Sequence, residues 1–367
     1  MALSLGADIL KADVLIIGAG PSGALAASFL RQAGHSVLIF ERSSFPRFSI
    51  GESLLPQSME FFEKAGVLSK IKEASFQDKN GAAFCKGNKH AAIEFSKKST
   101  QGYHETFEVQ RASFDKILAD HAEKLGAEIF YEHSITSYKD TGASVVLAGI
   151  NSSQQPFEAH GKFVLDASGY GRVLPRLLEL EKPSDFPVRQ AIFSHIKEDI
   201  KHPSFDRQKI LITIHDKNPD IWYWLIPFSD GTSSLGVVGK TDDLEKAGET
   251  DEKRLKFFIG DDPYYQEILT SYEFTRPVSS MTGYSCNVTQ LYGDSFALLG
   301  NAGEFLDPVF SSGLTIAAKS ADLAASALIK KLAGESVDWH HDFEAPLMVG
   351  VNAFRGFVES WYEGPLQ

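Results

Sequence analysis

Three closely spaced glycines and a following acid carry the first chemical signal in this chain. From Val14 to Glu41 it reads VLIIGAGPSGALAASFLRQAGHSVLIFE: an apolar run, then Gly18, Gly20 and Gly23, an alanine-rich stretch, a second apolar run and a carboxylate. The pattern predicts a strand, a tight turn, a helix and a second strand arranged to bind a dinucleotide. Gly18 permits the turn, Gly20 lets backbone amides approach a pyrophosphate, and Gly23 lets helix and strand pack closely. The positive end of the helix dipole then faces the phosphates. Glu41 follows Gly18 by 23 residues, the place for a carboxylate that holds ribose hydroxyls and repels a 2′-phosphate. The adjoining Arg42 is a further cofactor-binding candidate.

The elements that would position these residues are those of an α/β protein. With 367 residues and 43% hydrophobic content, the chain can bury a large core, and its length suggests two domains or one domain carrying an insertion. RFSIGESLLPQSMEFFEKAGV, from Arg47, reads as a polar loop and an amphipathic helix capped by Gly66. FEVQRASFDKILADHAEKLGAEIFY reads as strand, helix and strand, with Arg111 in the loop before the helix. FVLDASGYG is a strand ending in Asp166. KILITIHD, DIWYWLIPF and SLGVVG alternate and are aromatic, as antiparallel strands are. SFALLGNAGEFLDPVFSSGLTIAAKSADLAASALIKKLAG returns to buried strand, loop and long alanine-rich helix. The nucleotide domain is therefore expected to be discontinuous, over 1–75, 105–185 and 284–335, with a substrate domain from 76–104 and 186–283 and a short helical segment at 336–367.

Composition excludes several classes. A net charge of −12 repels nucleic-acid backbones and anionic lipids. No apolar stretch is long enough to span a membrane, and Met1 to Ala12 lacks the features of a signal peptide, so a cytoplasmic location is expected. Cys85 and Cys286 read as reduced thiols. The eleven histidines show no metal-ligand spacing, and no metal is expected.

The chain resembles the FAD-dependent hydroxylase superfamily and, within it, the flavin-dependent halogenases. GAGPSG with Glu41, VQRASFD with Arg111, DASGYG with Asp166, and GNAGEFLDP with Asp307 match in order. The resemblance implies a three-layer FAD-binding domain with a mainly parallel sheet, plus an inserted antiparallel substrate sheet. It places Arg47 and Arg111 near the cofactor and Asp307 and Pro308 at the loop beside the isoalloxazine. It turns the backbone amides of Ser312 and Gly313 towards flavin or a small anion, and makes Ser311-Ser312-Gly313 the halide site. One departure lies at Gly300-Asn301, where the family usually carries Gly-Asp; the Asn301 amide can still hydrogen-bond a ribityl hydroxyl.

Two motifs bear on the reaction. Trp222 and Trp224 stand in IWYWLIP, similar to the halogenase Trp-x-Trp-x-Ile-Pro motif thought to keep substrate from the flavin; the alternative is two core residues on one face of a strand. Lys79, in KNGAAF, resembles the halogenase lysine at the end of a tunnel from the flavin; the alternative is a solvated surface lysine. The implied chemistry is attack of halide on flavin-activated oxygen to give hypohalous acid, which Lys79 holds or converts to a haloamine for delivery to an electron-rich ring. Tryptophan halogenases carry Glu where this chain has Phe310, which points to phenols or pyrroles, free or carrier-bound, rather than indoles. No second dinucleotide fingerprint is evident, so a separate flavin reductase is expected. An aromatic hydroxylase, a prenyl reductase or dehydrogenase, and a non-catalytic FAD-binding protein remain the alternatives.

Overall fold

A computed structural model describes residues 9–367. Residues 1–8, part of the segment read above for a signal peptide, lie outside the described residues. Five parallel strands form the centre of the nucleotide-binding half, in the order Phe296–Leu298, Phe163–Asp166, Val14–Ile17, Val37–Glu41 and Glu128–Tyr131. Val14–Ile17 and Val37–Glu41 are buried at every position, because this sheet is covered on both faces. Helices Pro21–Gln32, Arg111–Lys124 and Gly313–Leu332 supply one cover. The other is a four-stranded sheet, Leu10–Lys11, Pro156–Gly161, Val145–Ile150 and Ser134–Asp140, antiparallel except where its first strand pairs. The result is the three-layer arrangement expected. Arg111 differs in detail: it is the first residue of its helix rather than part of the preceding loop.

The second half is built on a large sheet. Its strands run in the order Tyr272–Phe274, Arg189–Glu198, Thr232–Lys240, Trp222–Pro227, Lys209–Ile214, Gly81–Lys86 and Lys89–Glu94, with Ser279–Thr282 also paired to Arg189–Glu198. It is antiparallel except between Lys209–Ile214 and Gly81–Lys86, which run parallel because the latter arrives from a distant part of the chain. Strand Trp222–Pro227 is buried throughout, so its alternation divides two cores. Trp222, Trp224 and Ile226 join the main core, whereas Tyr223 and Leu225 face a second one closed by helices Asp251–Asp261 and Pro263–Ile268. Gly236 is opposite Trp224, and a Cβ there would lie 2.3 Å from the indole ring. Only glycine leaves room for that ring to lie over the neighbouring strand.

Lys79 belongs to a smaller ribbon. Gln77–Lys79 pairs antiparallel with Thr106–Glu108, which in turn bridges Ser53. The chain then enters the large sheet at Gly81. Helix Ala345–Tyr362 closes the structure, with Trp361 fully buried. Among the described residues, no helix is long and apolar enough to cross a membrane.

Candidate active site

A cavity of about 530 Å³ runs between the two halves. At its nucleotide end are Gly18, Gly20, Glu41, Arg42, Arg47 and Arg111; Asn301, Pro308, Ser311 and Gly313 line it further along. Trp222 and Trp224 join Phe48, Phe193, Ile226 and Met281 to form an apolar wall. Residues from remote parts of the chain thus meet as a single site.

The glycine turn is shaped to admit a phosphate group. Gly18 has φ +96°, and a Cβ on it would lie 2.6 Å from the Ala167 carbonyl. A Cβ on Gly23 would lie 2.0 Å from the Gly18 carbonyl, so helix and turn touch there. Gly23 does not itself line the cavity; its role is this close packing. Gly20 caps helix Pro21–Gln32, whose first amides have no partner within the helix. Glu41 is held in place by backbone, its two oxygens accepting from the amides of Ala19 and Ser43, each at 2.9 Å. This cradle of glycines, helix N-terminus and carboxylate fits the pyrophosphate and ribose of FAD.

Two arginines share one buried acid. Arg111 forms a fork on Asp115, with Nε 2.7 Å from Oδ1 and Nη2 2.9 Å from Oδ2, while Arg47 Nη1 reaches Oδ2 at 3.0 Å. Arg111 also donates to the Ile50 carbonyl at 2.7 Å, tying down the loop that follows Arg47. Asp115 escaped the sequence reading, although its position four residues after Arg111 was an available sign. Asp166 is fully buried but does not line the cavity. It accepts from the amides of Ser168 and Leu174 at 2.9 and 2.6 Å, fixing the loop whose Ser168, Gly169 and Tyr170 do line it.

Asp307 and Ser312 also sit just behind the wall. Asp307 accepts from the Val309 amide at 3.0 Å and from the hydroxyls of Tyr362 at 3.0 Å and Tyr284 at 3.4 Å; burial raises its carboxyl pKa. The Tyr362 hydroxyl in turn accepts from Trp222 Nε1 at 2.9 Å. The closing helix is thereby joined to both the Asp307 loop and the tryptophan strand. Ser312 caps helix Gly313–Leu332, leaving the first amides of that helix at the cavity wall. Phe310 packs on Phe357 and Trp361 and does not line the cavity.

Lys79 is not a surface lysine: it is 1% exposed. Its Nζ donates to Ser53 Oγ at 2.6 Å and to the Leu54 carbonyl at 2.8 Å. Lys79 lies behind the cavity wall rather than on it, and Ser53 is the wall residue that it touches. Register puts Lys79, Glu108 and Ser53 on one face of the ribbon. Glu108 is fully buried, with neither carboxylate oxygen hydrogen-bonded. Desolvation lowers the Lys79 pKa, opposed by the charge of Glu108. Desolvation likewise pushes Glu108 up to about 7, opposed by Lys79. Neither Glu108 nor Glu52, a wall residue next to Ser53, was singled out from sequence.

Known proteins place this geometry in a family. A family described as an FAD binding domain matches residues 11–343. The chain is 30% identical to the 1H-pyrrole-2-carbonyl-[peptidyl-carrier protein] chlorinase of Pseudomonas fluorescens, covering 96% of this chain and 82% of that protein. A crystal structure of a flavoprotein/dehydrogenase from Cytophaga hutchinsonii is similar at 42% identity and TM-score 0.94, covering 97% of this chain and 87% of the other. The myxobacterial chondrochloren halogenase, an FAD-dependent halogenase, gives 31% identity and TM-score 0.88, covering 96% and 83%. Its three-layer fold, its glycine-lined cavity and these relatives agree: the chain is an FAD-dependent oxidoreductase belonging to the flavin-dependent halogenase family of the FAD-dependent hydroxylase superfamily.

Proposed function

We propose that the protein halogenates a small phenol- or pyrrole-type substrate, free or carrier-bound, using reduced FAD, oxygen and halide, with the flavin reduced by a separate reductase. The observation that carries this reading is the enclosed amine of Lys79, hydrogen-bonded to a wall residue of the FAD cavity. An oxygen-inserting hydroxylase has no need of such an amine. The named substrate of the Pseudomonas fluorescens chlorinase, a carrier-bound pyrrole, supports the substrate class.

When bound, reduced FAD supplies the two electrons that activate oxygen for attack by halide. The Gly18–Gly20 turn and the following helix bind pyrophosphate, and Arg47 and Arg111, fixed by Asp115, hold the loop beside the cofactor. Backbone amides at Ser312 and Gly313 bind the halide at a helix N-terminus. Trp222, Trp224 and Phe193 exclude water, so hypohalous acid is not dispersed into solvent. Lys79, its charged form disfavoured by burial, receives hypohalous acid through the wall at Ser53 and directs it to the ring. The ring heteroatom supplies the electron push; a carbon–halogen bond forms as the halogen–oxygen bond breaks.

The test mixes the reduced, FAD-loaded protein with oxygen, with and without chloride or bromide, and with phenols and pyrroles present. Halide-dependent flavin reoxidation with halogenated product in the wild type, and loss of product in an FAD-loaded Lys79→Met variant, supports the reading. Halide-independent reoxidation with hydroxylated product would make it a hydroxylase. Absence of any oxygen-dependent product would favour a dehydrogenase, the description carried by the Cytophaga hutchinsonii relative. Rapid NADH oxidation by the purified chain alone would remove the separate reductase.

A further inference from the structure

Halogenation of a phenol or pyrrole needs a base, and the cavity wall holds two carboxylates among the described residues, Glu41 and Glu52. Both oxygens of Glu41 are taken by backbone amides at the nucleotide end. Glu52 differs. It is 1% exposed, its Oε1 lies 2.5 Å from His195 Nε2, and its Oε2 is buried with no hydrogen-bond partner. A buried carboxylate oxygen without a partner is costly, and an O–H or N–H donor brought by a ligand would remove that cost. The position before Ser311 offers no base, since Phe310 is packed on the closing helix.

We propose that Glu52 is the catalytic base of the site, taking the O–H or N–H proton of an aromatic substrate, and that His195 is the positioning residue that holds it. This rests on the halogenation reading above. His195 stands on strand Arg189–Glu198, where residues 191, 193 and 195 share a face and Ala191 and Phe193 line the cavity. Its side chain is 17% exposed, so the pair links a dry wall to solvent. Phe48 and Phe228 meet the His195 ring edge-on at 5.5 and 5.2 Å and restrict its motion. Ser53, the next residue, carries the Lys79 hydrogen bond. Base and amine are therefore anchored in consecutive residues of one wall segment.

With a phenol, Glu52 takes the O–H proton while the ring carbon attacks hypohalous acid; the carbon–halogen bond forms and the halogen–oxygen bond breaks, its electron pair leaving on hydroxide. Hydroxide takes the proton from Glu52 and leaves as water. The regenerated carboxylate then removes the ring proton and returns it to the phenolate oxygen. Glu52 is contacted by His195 from the large sheet, and three charged or titratable side chains face it from other elements: Arg276 with its guanidinium over Phe48, Arg111 from its helix and Glu108 from the ribbon.

The experiment compares FAD-loaded wild type, Glu52→Gln, Glu52→Asp and His195→Gln. In Glu52→Gln, flavin reoxidation should keep its halide dependence while halogenated product falls about 100-fold, the usual worth of a general base. Hypohalous acid should then escape to an added enol scavenger, and the acid limb of the product pH profile should vanish. Glu52→Asp should restore part of the product, and His195→Gln should displace that limb. A turnover-free readout uses oxidised FAD-loaded protein: wild type should bind 4-chlorophenol more tightly than 4-chloroanisole, and Glu52→Leu should lose the preference. Unchanged product yield and pH profile in Glu52→Gln, or an unchanged preference in Glu52→Leu, overturns the assignment. A wild type that makes no halogenated product removes the halogenation reading instead, and the binding comparison still decides whether Glu52 meets an aromatic donor.

Discussion

The buried Lys79–Glu108 pair offers a test of the electrostatics that needs no substrate. Glu108 is pushed up to about 7, against ~4.3 in an unfolded chain. Because its folded pKa is raised, the stability it contributes is fully present below about pH 4.3 and is lost as pH rises to about 7, at roughly 1.4 kcal/mol per pH unit. Glu108→Gln mimics the neutral acid and does not titrate. Across that window, the stability of the variant relative to wild type should therefore rise by about 4 kcal/mol. Lys79→Met removes the two hydrogen bonds to Ser53 and Leu54 and leaves Glu108 without its counter-charge. At pH 8 this should cost about 3–5 kcal/mol, as breaking one side of a buried pair does. The cost should be smaller at pH 5.5, where Glu108 is neutral, and smaller again in the Lys79→Met/Glu108→Gln double variant. Urea unfolding at fixed excess FAD, from pH 4 to 8, measures all three. A flat difference between wild type and Glu108→Gln across that range, together with additive single and double variants, would refute the argument.

Other consequences concern the cofactor and the closing helix. Gly23→Ala forces a methyl against the Gly18 carbonyl, 2.0 Å from the added carbon, and should lower the stability of the chain itself as well as abolish FAD retention on a desalting column; Gly20→Ala, whose added carbon meets only the end of Arg47 at 3.5 Å, should leave the FAD-free chain's melting temperature nearly unchanged while still weakening FAD retention, since the methyl stands where the pyrophosphate approaches. Asp115→Asn should weaken FAD binding and lower stability by about 3–5 kcal/mol, since two arginines lose their shared buried counter-charge; fluorescence titration and thermal melts check both. Tyr362→Phe and Trp222→Phe remove hydrogen bonds that share one hydroxyl, each worth about 1 kcal/mol. A double-variant cycle of melting temperatures should come out non-additive. Strict additivity would mean that the closing helix is not coupled to the tryptophan strand through that hydroxyl.

Much of the nucleotide half was legible because its signals are local. Gly18 and Gly23 are demanded by a turn and a close packing within a few residues of themselves, and Glu41 closes the strand that follows the same helix. The continuous apolar runs announced strands covered on both faces, and the aromatic, apolar text from Trp222 to Pro227 announced another strand. Period alone reports that Trp222 and Trp224 share a face; it does not say what that face meets. Only the folded chain puts them beside Phe193 and Met281 and ties Trp222 to Tyr362, 140 residues away.

The charged groups show the limit most clearly. As letters in a sequence, Glu108 and Glu52 are ordinary surface residues and Lys79 stands out only through a resemblance, because nothing nearby in the chain tells burial from exposure. Folding sets Lys79 against Ser53, leaves both oxygens of Glu108 without partners, and brings Glu52 to His195 across 143 residues. Desolvation and pairing depend on those distant neighbours rather than on spacing along the chain. The sequence by itself thus determined the cofactor cradle and the strand that carries the tryptophans, set by short-range sterics and periodicity, while the family came from the resemblance of its ordered motifs. The tertiary structure alone decided which charges are buried, which are paired and which face the cavity, since those depend on contacts that only a packed interior creates.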